Sequence, residues 1–327
     1  MMKDSNISDL LTKRTGRPVA GSGIGLVAAT AALSFIAAGL AARRPDPHPR
    51  GLAKRAPAKR EALRLSRDGA AIMGSSVLLD SALEHLRGDF RRDEMYIAPL
   101  AGAASMAAAM AEPRQNAAGR ALEGVHIASF TTGLMGMGFH LGNVLRRPGG
   151  ISWNNLFYAA PLGAPGALIM SGLIGMVTHQ MARSSGRERR HGRQLAALTA
   201  TAMLAETAEV ALLHFRGAYH DPAMYLPATL PPVAAVGLLA ESLSPRKRRR
   251  GPLKLLLRAV EALGYIGTAF HALGVARNSG GWKNWRQTTL AGPPMPAPIS
   301  FAGLGKSGRA ALDLLDVAED REGGRAR

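Results

Sequence analysis

HLRGDFRRDEMY, from His85 to Tyr96, recurs 129 positions later as HFRGAYHDPAMY, from His214 to Tyr225. The copies share His, Arg, Gly, an aromatic, Met and Tyr at identical spacing, and each lies between two apolar runs. Outward from this stretch, residues 80–112 align with 209–241 without a gap, giving nine identities that end on Glu112 and Glu241. At an offset of 131, Phe139, His140, Val144 and Arg146 match Phe270, His271, Val275 and Arg277. Trp153 and Pro161 then match Trp285 and Pro293. The chain reads as a tandem duplication, with repeats over 69–182 and 195–315 joined by a basic loop, 183–194. Residues 1–68 precede the repeats and a polar tail, 316–327, follows them. Solenoid repeats have periods of roughly 20 to 50 residues. A unit this much longer predicts a multi-helix bundle made twice, both copies running in the same direction.

Charge poses the next question. With 41 Lys+Arg against 23 Asp+Glu the net charge is +18, so a polyanion is expected, either nucleic acid or an anionic membrane surface. Residues 20–41 hold no charge over 22 residues, about the length that crosses a hydrocarbon core of roughly 30 Å. Further apolar runs follow near 69–86, 95–112, 121–145, 157–182, 195–215, 223–243 and 253–276. They are long, rich in Ala, Leu and Gly, and lack period-2 alternation, so strands are not expected. The fold class predicted is all-α: a polytopic membrane bundle of about nine hydrophobic segments, an anchor helix followed by two parallel repeats. A mean hydropathy of only +0.01 and carboxylates within several runs keep a soluble, Ala-rich bundle as the competing reading.

The placement of cations favours the membrane. Alternate loops (43–68, 113–120, 183–194, 244–258) carry 23 Lys+Arg and the intervening ones (87–94, 146–152, 215–222, 277–287) carry 9. Such alternation follows the positive-inside rule and puts the basic loops, SPRKRRR up to Arg250 included, in the cytoplasm of an inner-membrane protein. Nucleic acid is not an expected partner; the bilayer is. Trp153, Trp282 and Trp285 fall in the outer loops, where indole rings suit the headgroup region. The last run, from Pro293, meets Lys306 and Arg309 early, which predicts a re-entrant or interfacial element.

Candidate chemistry comes from acids and histidines inside the spans. Asp80 and Glu84 share a helix face at i,i+4, and Glu206 and Glu209 lie one turn apart. His85 and His214 close the same helices. Intramembrane acids usually face a bundle interior or aqueous cavity, or pair with cations, for which Arg87 and Arg216 are nearest. His85, His140, His214 and His271 all stand near the C-terminal ends of outward-running helices. Four imidazoles at one level suit haem b; with the carboxylates they suit a divalent metal centre serving a membrane or periplasmic redox partner. A helix C-terminus also favours a histidine for structural reasons alone. Glu123 and His126 have the i,i+3 spacing of di-iron bundles, but the second copy reads Glu261 with Gly264. Glu112, Glu241, Glu123 and Glu261 are expected at inner helix ends, capping them and pairing with Arg120 and Arg258.

Each third long helix is followed by a Gly-Gly, Trp and Pro element, a pattern that can mark broken helices at the binding site of a carrier. No P-loop, dinucleotide fingerprint, HExxH or cysteine is present, so thiol chemistry and iron–sulfur ligation are excluded. Three functions follow in order: an outer His/carboxylate cofactor site, a small-solute or ion carrier with its site between the repeats, and a structural membrane protein.

Overall fold

The structure is a computed structural model that describes residues 57–111, 116–158, 161–243 and 250–325. The expected anchor helix at 20–41, Glu112 and the basic stretch before Arg250 lie outside the described residues. Ten α-helices and no strand form among the described residues. They are α1 (Pro57–Arg87), α2 (Ile97–Met110), α3 (Ala117–Leu145), α4 (Trp153–Tyr158) and α5 (Gly163–Arg183), then α6 (Glu188–Arg216), α7 (Leu226–Leu243), α8 (Gly251–Arg277), α9 (Trp285–Ala291) and α10 (Ile299–Arg325).

Four of these helices make the centre. α1 and α6 each pack against both α5 and α10, so the four form a ring around fully buried Leu65, Met73, Leu168, Ile174, Leu195, Met203, Leu304 and Leu312. α2 and α3 flank α1 and α5 on one side, and α7 and α8 flank α6 and α10 on the other. The order of packing is therefore the same in residues 57–183 and in residues 188–325.

Small residues permit this closeness. A Cβ on Gly74 of α1 would sit 2.8 Å from the Met106 nitrogen, and one on Gly102 of α2 would sit 2.7 Å from the Leu78 nitrogen. The two backbones thus touch, as in the small-residue contacts between helices in bilayers. Outside, large apolar residues stay uncovered on the flanking helices, among them Phe139, Val233, Val236, Leu255, Ile266 and Phe270. Among the described residues, three helices are long and apolar enough to cross a membrane, over Glu188–Arg216, Pro222–Leu243 and Gly251–Arg277. These features suit a membrane-associated protein.

The sequence and the structure part company at three boundaries. α1 begins at Pro57, inside the stretch read as a linker, and α6 begins at Glu188, inside the stretch read as a basic loop. α10 does not end near 315. It runs through the central ring to Arg325, because Lys306 and Arg309 are both neutralised by Glu261 of α8.

The repeated twelve-residue stretch is a corner. After α1 the chain turns through Asp89 (φ 55°) and Phe90 (φ 44°), and after α6 through Ala218 (φ 58°) and Tyr219 (φ 45°). Phe90 stacks on Tyr96 with ring centroids 4.4 Å apart, and Tyr219 stacks on Tyr225 at 4.5 Å. The shared aromatics, Met and Tyr thus hold an identical turn in both places.

Candidate functional site

Two of the four central helices start late. α5 follows short α4 and non-helical Pro161 and Leu162; α10 follows short α9 and a break at 292–298 that contains Pro293, Pro294, Pro296 and Pro298. Proline supplies no N–H and so interrupts a helix. The histidines secure these breaks and the corners. His140 Nδ1 bonds the Pro161 carbonyl, and His271 Nδ1 bonds the Pro294 carbonyl at 2.7 Å. His85 Nδ1 bonds the Met95 carbonyl, and His214 Nδ1 bonds the Met224 carbonyl at 2.8 Å. A carbonyl only accepts, so each Nδ1 carries a proton; in the neutral form of such a ring Nε2 holds the lone pair.

His85 lies within electrostatic reach of His140, and His214 of His271. The four sequence-predicted imidazoles thus form two pairs, each within one half of the chain. Trp153 and Trp285 are exposed beside them at the starts of α4 and α9.

The acids converge between the halves. Asp80 on α1 and Glu209 on α6, at matched positions, are within electrostatic reach of each other, and Glu206 is within reach of both. All three are half-buried, and Glu84 adjoins Asp80. Glu209 accepts hydrogen bonds from the Leu162 and Gly163 backbone N–H groups at the start of α5. A Cβ on Gly163 would press on that carboxylate and displace it. Ser300, in the first turn of α10, donates to Glu206, and Ser76 of α1 donates to the Pro296 carbonyl at 3.0 Å. Each late-starting helix therefore opens beside an acid-bearing helix of the other half.

Two arginines tie the halves at the same level. Arg87 pairs with Glu84 and reaches the Thr289 and Gly292 carbonyls at the end of α9. Arg216 stands over the Tyr158 ring at the end of α4, 5.4 Å from its centroid. Among the described residues, no group of three or more His, Asp or Glu side chains is arranged to hold a metal ion.

The three inner-end acids among the described residues, Glu123, Glu241 and Glu261, pair with cations from other elements. Glu123 pairs with Arg183 of α5 at 2.6 Å rather than with Arg120, and Glu261 pairs with Lys306 and Arg309 of α10 rather than with Arg258. The reason is that neighbouring helices supply cations at the right height. Glu241 meets Arg250, which is 1% exposed and also holds Asp316 and Glu319. Burial opposes the Arg250 charge, but these three carboxylates outweigh it and hold its proton affinity above the ordinary arginine value. Lys59 joins Glu188 across the ring at 2.9 Å, and Arg321 joins the same carboxylate.

The pairing of Glu123 with Glu261 and of His126 with Gly264 also changes. A Cβ on Gly172 would lie 2.6 Å from the His126 oxygen and 2.7 Å from the Phe130 nitrogen. Its counterpart on Gly305 would lie 2.7 Å from the Leu257 oxygen and 2.8 Å from the Glu261 nitrogen. Leu257 therefore occupies the place of His126, Lys254 that of Glu123, and Glu261 that of Phe130. The sequence pairing slipped by about two turns, which leaves the helix face unchanged and so escapes periodicity.

One arrangement had no sequence signal. His126 of α3 and His179 of α5, 1% and 2% exposed, face each other with ring centroids 5.5 Å apart. Both His126 nitrogens and His179 Nδ1 are buried without a hydrogen-bond partner. Comparison with protein-family models, curated proteins and solved structures returns no match.

Proposed function

We propose that the chain is a duplicated inner-membrane carrier, its basic loops in the cytoplasm, that moves a small cation through a site made by Asp80, Glu206 and Glu209. The observation that carries this reading is the meeting of three half-buried carboxylates from both halves beside the starts of two late-starting central helices. Broken helices at matching places in two halves, with their ends at an ionisable cluster, are the construction expected of a carrier site. Acids in a bundle centre are retained against their desolvation when they bind something. The arginine ties of Arg87 and Arg216 to the opposite half give two contacts that rocking of the halves would exchange.

Solid-supported-membrane currents from proteoliposomes, recorded with gradients of H⁺, Na⁺, K⁺ and a small organic amine, test the proposal. One of these gradients is expected to drive a current that falls at least tenfold in Asp80→Asn and in Glu209→Gln. No current with any of the four, from protein that remains monodisperse, would overturn it.

A second reading, a haem or metal bound by the outer histidines for a redox partner, rests on the Nδ1 bonds that leave Nε2 as the ligating nitrogen in all four rings. It predicts a Soret band, or stoichiometric iron, zinc or copper, that disappears in His85→Ala with His214→Ala.

A further inference from the structure

The His126–His179 pair is not needed for packing. Leu257 takes the place of His126 in the other half, and its contact with Gly308 matches that of His126 with Gly175. By the same register Leu312 takes the place of His179, and both leucines are fully buried. Hydrocarbon fills this position in one half; in the other it holds two imidazoles, of which both His126 nitrogens and His179 Nδ1 are buried without a partner. Leaving such groups unsatisfied costs roughly 1 to 3 kcal/mol each. A bound species that accepts their lone pairs would recover that loss.

The surroundings define the species. Both rings line a cavity of about 10 Å³ that is also walled by Ala70, Ala108, Gly175 and Thr178 and is large enough for a single atom. Thr178 is already bonded to Ser66 and to the Ile174 carbonyl. Arg67, which also lines the cavity, is bonded to the Ala109 and Met110 carbonyls, and Glu123 is paired with Arg183. No third His, Asp or Glu joins the pair in a metal-holding group among the described residues. That rules against ions requiring four to six ligands, such as zinc or magnesium. Two imidazoles joined in line through one atom at about 2 Å from each nitrogen place their centroids roughly 6 Å apart, so the rings, now 5.5 Å apart and tilted by 56°, need to part by less than about 1 Å to admit it.

We propose that His126 and His179 form a two-coordinate site for a monovalent d10 metal ion, copper(I). Such an ion carries a single charge, is content with two neutral nitrogen donors, and tolerates the largely alanine-walled surroundings. The site is independent of the carboxylate cluster between the halves.

The full chain in detergent, loaded anaerobically with copper(I) and challenged with a chromogenic copper(I) chelator, tests it; silver(I) serves as the redox-inert probe. One equivalent is expected to resist the chelator, with two nitrogen neighbours in the metal's X-ray absorption spectrum. His126→Leu with His179→Leu, which copies the Leu257 and Leu312 arrangement, is expected to fold, to unfold at a higher temperature without metal, and to weaken retention at least tenfold. Asp80→Asn should retain the equivalent unchanged, so failure here and failure of the carrier reading are separable. A wild-type chain that retains no ion, or a double-leucine variant that retains as much, would overturn the proposal and leave a single water between the rings.

Discussion

At the scale of single residues, the corner motif shows how a sequence signature can be structural in origin. His, the aromatic, Met and Tyr recur because one ring bonds a carbonyl and two rings stack, and the same turn needs them twice. Ala218 sits in the left-handed region at φ 58°, which costs a non-glycine residue about 1 to 2 kcal/mol. Ala218→Gly should therefore stabilise the protein by about 1 kcal/mol, after the greater chain entropy of glycine is allowed for, read as a rise in thermal unfolding temperature. The acids Asp80, Glu206 and Glu209 were legible as candidates because carboxylates are conspicuous in apolar runs. The buried histidine pair was not legible as a pair. His179 lies within GLIGMVTHQMA and its partner lies on another helix, so only the packing of α3 on α5 brings them together.

At the scale of elements, helix existence was readable and helix register only in part: the offset of 131 that aligns Phe139 with Phe270 holds through α3 and α8, whereas the pairing of Glu123 with Glu261 departs from it. Length and apolar content announced the long helices, whereas the extent of α1 and α10 depended on polar residues that tertiary partners satisfy: Lys59 by Glu188, Lys306 by Glu261. The structural register sets Glu123 and Arg183 in one half against Lys254 and Asp316 in the other, the same pair with its signs reversed. This predicts that Glu123→Lys and Arg183→Asp each destabilise the chain, by about 3 kcal/mol or more since one charge is left opposed or unpaired in a largely buried place. The double variant should recover to within about 1 kcal/mol of the wild type in a double-mutant cycle of unfolding. Independent, additive losses would refute the equivalence of the two positions.

At the scale of the whole molecule, the absence of cysteine makes topology directly measurable. Ser185 and His220 are exposed at the two ends of α6. Ser185→Cys and His220→Cys should react with a membrane-impermeant maleimide from opposite sides of the bilayer, Ser185 from the cytoplasmic side. Labelling of both from one side would contradict a membrane-crossing α6. The alternation of basic loops carried this orientation in the sequence; the central ring of α1, α5, α6 and α10 did not show itself there, because helix adjacency leaves no trace in composition.

The reversed charge pairs bear on how such a chain avoids assembling wrongly. If α3 were to settle on α10, or α8 on α5, Glu123 would confront Asp316 and Lys254 would confront Arg183. Two halves with the same order of packing could exchange helices while the bundle closes, and discrimination between similar partners often comes from repulsion built against the wrong one. Opposite polarity at one matched position opposes such an exchange, with the further bridges of Lys254 to Asp313 and of Arg250 to Asp316 on the second side.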